Sequence, residues 1–274
     1  MHKGLFIVGS EPRAGKTVVA RALAAATRHL GRRVAAVKPI ETGCAPIRAT
    51  QGSSPPSELD PAVLDALTRL TELAGPPPAA ALARLPPAAL HPSDDALLRA
   101  SARCTAGGEL ACPYRFAPPL EPVVAARLAE VEIDLELIQR CCTELANGHD
   151  LVIIEGWGGL LAPLTPRHLQ VDLIERLGFP VLLVAPLAAG TISHCLLALE
   201  VLRSRSLPVA GVVLRRTDRE HRPEEAAQPL EIERFAGPLV RGILPCFTDE
   251  ELEDTEHLGR RFAVHVDVAA MLAR

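Results

Sequence analysis

The stretch Gly9-Ser10-Glu11-Pro12-Arg13-Ala14-Gly15-Lys16-Thr17 has the residue types and spacing to hold a chain of phosphates. A polyphosphate needs several backbone N–H groups turned toward one point, and a side chain there would block its approach. Gly9 and Gly15 allow that backbone. Lys16 can reach the outer phosphates, and the Thr17 hydroxyl is placed to ligate Mg2+. Glu11, Pro12, Arg13 and Ala14 form the body of the loop, and Val18 leads out of it. The loop has one residue more between its glycines than the common pattern. Its setting is what makes it specific. The apolar run Leu5-Phe6-Ile7-Val8 precedes it, and an alanine-rich segment with helical spacing follows from Val18 to Leu30. Strand, glycine-bounded loop and helix is the context a phosphate loop requires. The helix N-terminus adds a positive field. The expected ligand is a nucleoside triphosphate.

Four further clusters carry groups that could act on it. Lys38-Pro39-Ile40-Glu41-Thr42-Gly43 closes a second apolar run, setting a lysine and a hydroxyl near the loop; taken alone, Lys38-Pro39 reads as a solvated turn. Ser93-Asp94-Asp95-Ala96-Leu97 could open a helix, with Ser93 or Asp94 as its cap. Glu155-Gly156-Trp157-Gly158-Gly159 follows the run Leu151–Ile154. A carboxylate ending a buried strand is costly unless it meets a cation, and Mg2+ held by Thr17 would meet that need. Ala189-Gly190-Thr191-Ile192-Ser193-His194 begins a helix whose free N–H groups could bind a carboxylate or serve a plain cap. His194 reads as a packed side chain.

The elements that must position these groups are short runs rich in Val, Ile and Leu. They are Leu5–Val8, Val34–Pro39, Leu151–Glu155, Val181–Ala185, Val209–Leu214 and Leu239–Leu244. They lack strict alternation, as strands covered on both faces should. Helical stretches lie between them at Val18–Leu30, Leu135–Asn147, Val171–Leu177, Ile192–Ser204 and Glu231–Phe235. The alternation predicts an α/β fold, a mostly parallel sheet flanked by helices. Ala45–Pro92 breaks the pattern with three proline clusters. It is expected to be an insertion on a single domain spanning the chain, with short helices such as Pro61–Leu73 between the prolines.

Composition narrows the partners. The chain of 274 residues is 48% hydrophobic, enough for a full core. Its net charge of −4 and lack of a basic cluster argue against nucleic acid. No apolar stretch reaches the length of a membrane helix, and nothing resembles a signal peptide, so a cytoplasmic protein is expected. The cysteines Cys44, Cys104, Cys112, Cys141, Cys142, Cys195 and Cys246 show no paired spacing and read as buried thiols.

The order phosphate loop, Lys-Pro-x-x-Thr-Gly, Ser-Asp-x-Ala-Leu, Pro-Tyr-x-Phe, Glu-Gly-x-Gly-Gly resembles the dethiobiotin synthetase family of the P-loop NTPase fold. The fourth element is Pro113-Tyr114-Arg115-Phe116, followed by Pro122-Val123-Val124-Ala125-Ala126. The likeness runs on through Pro163-Leu164, Pro180–Ala185, Gly190–His194 and Ala210-Gly211-Val212-Val213. It implies an ATP- and Mg2+-dependent ligase of biotin synthesis. There CO2 carbamates 7,8-diaminononanoate, a carbamate oxygen takes the γ-phosphoryl group, and the second amine closes the ring. By the resemblance, Lys16 and Lys38 flank the transferred phosphoryl group, and Thr42 hydrogen-bonds the carbamate or phosphate. Thr17, Glu155 and Asp95, with Asp94 as the other candidate, hold Mg2+. Gly156, Gly158 and Gly159 approach the nucleotide. Pro122 and the helix start Gly190, Thr191 and Ser193 meet the substrate, whose carboxylate tail lies at a homodimer interface.

The chain departs from that pattern in places. Pro12 and Arg13 stand where the family carries Thr and an acidic residue. Arg215 stands where an asparagine reads the adenine, Ser193 replaces another asparagine, and Trp157 replaces a small residue. Two competitors share the loop class. One is an amide-forming ligase acting on another acid. The other is a non-enzymatic nucleotide switch or partitioning-type ATPase, which often has a second lysine in the loop.

Overall fold

The computed structural model describes residues 3–46, 90–91, 93–218 and 223–272. At its centre six parallel strands form one sheet: β1 (Gly4–Gly9), β2 (Val34–Val37), β7 (Leu151–Gly159), β8 (Val181–Pro186), β9 (Val209–Arg215) and β10 (Val240–Leu244). Their order across the sheet is β10-β9-β8-β1-β7-β2. All six correspond to the apolar runs. Phe6, Ile153, Leu183 and Val213 at their middles are fully buried, as strands covered on both faces must be.

Helices α1 (Lys16–His29), α2 (Ser93–Ala102), α3 (Gly108–Ala111), α4 (Pro122–Leu128), α5 (Leu135–Gly148), α6 (Gln170–Leu177), α7 (Thr191–Ser204), α8 (Gln228–Ala236), α9 (Asp249–Glu253), α10 (Thr255–His265) and α11 (Val268–Leu272) complete the described residues, with a 3-10 turn at Pro223–Ala227. Five match the predicted helices to within a few residues. α3, α4 and the last three have no counterpart among the predicted helices. α10 packs along α1 so closely that a Cβ on Gly259 would stand 2.8 Å from Ala25.

Two small sheets flank the main one. β3 (Ile40–Thr42) runs parallel to β6 (Tyr114–Phe116), pairing Thr42 with Phe116. This fixes the segment after Lys38. β4 (Ala45–Pro46) pairs antiparallel with β5 (Leu90–His91). The chain therefore leaves for the proline-rich segment and returns at one point beside the sheet. The predicted helix Pro61–Leu73 lies outside the described residues.

β7 runs four residues further than expected, through Gly156-Trp157-Gly158-Gly159, and Gly159 pairs with Gly9 across a register shift. Glycines suited to a loop here instead carry two backbones past one another. Because every main strand is parallel, the C-terminal ends of β1, β2, β7, β8 and β9 gather along one edge. Every sequence cluster with chemistry except the 93–97 segment lies at or just after one of those ends.

Candidate active site

The loop leaves β1 at Gly9, where a Cβ would stand 2.5 Å from the carbonyl oxygen of Glu11. It returns at Gly15, whose φ of 93° is left-handed, and α1 starts there with no side-chain cap. Arg13 also adopts a left-handed φ of 62° and is exposed. Lys16 is only 8% exposed. Burial lowers its pKa, and nearby Lys38 adds to that, against Glu155 and Asp94. Two ammonium groups converging on one space give it an anion-seeking character.

Lys38 is buried, not a solvated turn. Its Nζ donates to Asp94 Oδ2 at 2.5 Å and to Glu155 Oε1 at 3.0 Å. Burial opposes its charge, but Glu155 and Asp94 outweigh that and raise its pKa. Thr17 Oγ1 donates to the same Glu155 oxygen at 2.9 Å. The other oxygen, Oε2, is buried with no partner among the described residues. A buried carboxylate oxygen without a donor, beside a hydroxyl and a second carboxylate, is an all-oxygen set that suits Mg2+.

The carboxylate that meets Lys38 beside Glu155 is Asp94, not Asp95. Successive residues on a helix point about 100° apart. With α2 starting at Ser93, Asp94 faces Lys38, whereas Asp95 turns away to accept from Arg99 Nε at 2.8 Å, one turn further on. Asp95 is fully buried, and burial raises its pKa against Arg99. The cap of α2 is also not the one expected. Glu41, 3% exposed, accepts from Ser93 Oγ and from the backbone N–H groups of Asp94 and Asp95. Its carboxylate sits at the positive end of the helix and sets how Asp94 meets Lys38. The signal for it was a lone acidic residue inside the Lys38–Gly43 cluster.

Trp157 is tied down by two hydrogen bonds. Its Nε1 donates to Thr42 Oγ1 at 3.1 Å, and its backbone N–H donates to Gln170 Oε1 at 2.6 Å. Gln170 in turn donates to Gly159 O. A Cβ on Gly156 would strike Gln170 and Phe6, so the segment is closely packed. An indole N–H only donates, so Thr42 must accept from it and keeps its own O–H to offer elsewhere.

The helix start on the far side of the loop joins the site through a contact that the sequence did not suggest. His194 is not packed: its Nδ1 lies 3.1 Å from Glu11 Oε2, with both side chains partly exposed. Gly190, with φ 87°, precedes α7, and no side chain caps it. Thr191 Oγ1 instead accepts from Ala188 N–H and donates to Pro186 O. Gly190, Thr191, Ser193, Leu197 and Phe235 line a cavity of about 730 Å³. Pro122 opens α4 and is buried, some way along the chain from these groups. Arg215, at the end of β9, lies against Gly15. The seven cysteines are free, and all but Cys246 are buried.

The parallel sheet, the glycine-bounded loop opening α1, and the two lysines facing paired carboxylates define a P-loop nucleoside triphosphatase fold. A family profile described as an AAA domain matches residues 3–251. The chain is 35% identical over 243 residues to the ATP-dependent dethiobiotin synthetase of Anaeromyxobacter sp. (strain K), covering 89% of this chain and 90% of the relative. It is 32% identical to that of Nitrosospira multiformis, covering 94% and 95%. A ParA family ATPase from Chlorobium tepidum TLS superposes with a TM-score of 0.48 at 15% identity, covering 96% of this chain and 93% of that one, which is too distant to speak to function. The chain belongs to the ATP-dependent dethiobiotin synthetases. It is therefore an ATP-dependent ligase, and neither the amide-ligase nor the switch reading is favoured.

Proposed function

We propose that the cluster of Lys16, Lys38, Thr17, Asp94 and Glu155 transfers the γ-phosphoryl group of ATP to a carbamate made from 7,8-diaminononanoate and CO2. The product after ring closure is dethiobiotin. The observation that carries this reading is Lys38, held between two carboxylates beside Lys16. Two fixed cations at one point are what a migrating phosphoryl group needs, because its charge spreads over its oxygens as it moves.

A carbamate is a poor electrophile until one oxygen becomes a leaving group. Its oxygen attacks the γ-phosphorus and displaces ADP, giving a carbamic–phosphoric anhydride. The second amine then attacks the carbonyl carbon and expels phosphate. The chain supplies alignment and neutralisation. Lys16 and Lys38 bind the transferred oxygens, and Thr42 donates its free O–H to the carbamate or phosphate. Thr17, Asp94 and Glu155 would hold Mg2+, which when bound neutralises phosphate oxygens. The start of α7 receives the substrate's carboxylate at a homodimer interface. Two observations support that placement: the uncapped N–H groups of α7, and the exposed Leu197 and Phe235 that a second copy would cover.

The test is mass-spectrometric detection of dethiobiotin from purified protein with the diamine, bicarbonate, Mg2+ and ATP. Product in step with ADP, abolished in Lys16→Ala, is the expected result. ATP hydrolysis that ignores the diamine would refute the reading.

A further inference from the structure

Arg215 ends β9, and its side chain reaches beyond the strand. It lies along the phosphate loop. A Cβ on Gly15 would stand 2.5 Å from Arg215 Cδ, 3.0 Å from Nε and 3.1 Å from Nη1. Gly15 is the residue from which α1 departs without a side-chain cap, so the Arg215 side chain lies against the start of that helix. The Arg215 Nε is buried and has no partner among the described residues. The next residue behaves differently. Arg216 Nη1 meets the buried carboxylate of Glu225 at 2.6 Å. Of two adjacent arginines, one is neutralised by the fold and the other is brought to the loop with a donor unused. Burial disfavours the Arg215 charge, yet a guanidinium remains protonated in proteins. A desolvated cation with an idle donor costs free energy until an anion meets it.

We propose that Arg215 is a ligand of the nucleotide's phosphates, not of its base, and that the end of β9 consequently does not select the base. The chemistry of the side chain favours phosphate over adenine. A guanidinium has N–H donors and no acceptor, so it cannot receive the exocyclic amine of adenine. Phosphate oxygens match its forked donors and its charge together. Its position against Gly15 puts it beside the loop proposed to hold phosphate. This inference rests on the use of the loop for ATP.

The experiment is calorimetric titration of the wild-type protein, Arg215→Ala and Arg215→Lys with Mg2+ complexes of ATP, GTP, CTP and inorganic tripolyphosphate. The expected result is that Arg215→Ala weakens all four by a similar factor of about tenfold or more, the size of a lost charge-assisted hydrogen bond. Arg215→Lys should recover part of the loss. It also serves if the alanine variant unfolds, because a base contact would then change the ATP-to-CTP ratio while leaving tripolyphosphate alone. A changed base ratio with unchanged tripolyphosphate binding overturns the proposal, as does unchanged binding of every ligand. Failure of the wild-type protein to bind any triphosphate would instead remove the phosphate-loop reading beneath it.

Discussion

The two ends of α1 carry the same kind of charge cluster in opposite surroundings. At its start, Lys16 and Lys38 face Asp94 and Glu155. At its end, Arg28 and His29 meet Glu256 of α10, which Arg103 also reaches. By residue type the two clusters are nearly interchangeable. Burial separates them. The Lys38 and Glu155 side chains are 10% and 1% exposed, whereas that of Glu256 is 37% exposed. At the first end, removal from water makes every charge expensive and every pairing strong. Burial lowers the pKa of Lys16, while Glu155 and Asp94 raise that of Lys38 against burial. At the second end, water screens the pairs, and they lace two helices together at little net gain. A cluster of charges is poised for chemistry only where the fold withholds solvent and leaves a gap for an anion.

Matched substitutions test that contrast. Glu155→Gln should have the largest effect. Lys38 loses the charge of one of its two carboxylates, and the unpartnered Oε2 becomes an NH2 that cannot ligate a cation, while one oxygen remains for Thr17. We expect the Mg2+ concentration for half-maximal turnover to rise, and stability in urea to fall by about 3 kcal/mol, the low end for breaking a buried pair because Asp94 remains. An unaltered Mg2+ titration would take Glu155 out of the metal site. Asp94→Asn and Asp95→Asn come next, because neighbouring carboxylates with different partners should fail differently. Asp94→Asn should cut kcat and shift the Mg2+ titration. Asp95→Asn, which unpairs Arg99 in a buried position, should lower the melting temperature and leave the Mg2+ titration in place. The reverse pattern would restore Asp95 as the ligand.

Trp157→Phe removes one donor from Thr42 and keeps the ring. One hydrogen bond is worth about 1 kcal/mol, so roughly a fivefold fall in kcat/KM is expected. In a Thr42→Val background the same change should do nothing more. A full additional loss there would mean that Trp157 acts through packing and not through the hydroxyl.

Glu256→Gln is the smallest and tests the exposed end. His29, then Arg28, hold the Glu256 carboxyl down at about 2, below its usual 4.5. Because the folded pKa is depressed, the contribution is present above about pH 4.5 and is lost as pH falls toward 2. The variant should therefore show a flatter melting-temperature profile across that window, with turnover near neutral pH unchanged. A marked loss of turnover would mean that this end of α1 is coupled to the site.

Much of this was legible in the chain because it rests on local rules. Buried parallel strands are continuous apolar runs, so Val181–Pro186 and Val209–Arg215 announce themselves. A phosphate loop needs its glycines, lysine and threonine consecutively, so Gly15, Lys16 and Thr17 can be read without a structure. Glu155 stands out because an acid ending an apolar strand demands a cation. Other features depend on what lies opposite. Asp94 and Asp95 are identical in type, and only the phase of α2 against β2 tells which meets Lys38. Glu41 is one acid among many until the N-terminus of α2 lands on it. The contact of His194 with Glu11 joins residues far apart in the chain, and so does the hydrogen bond from Trp157 to Thr42. α10 is mostly polar in composition, and its fit against α1 depends on Gly259 meeting Ala25.

By itself the sequence determined the sheet, the loop and the class of ligand, because apolar runs, glycines and a loop lysine act through their own backbone and their near neighbours. The tertiary structure alone decided which carboxylates face Lys38, which hydroxyl Trp157 restrains and where Arg215 reaches. Those choices depend on distances between segments far apart in the chain, and on which of their charges the fold takes out of water.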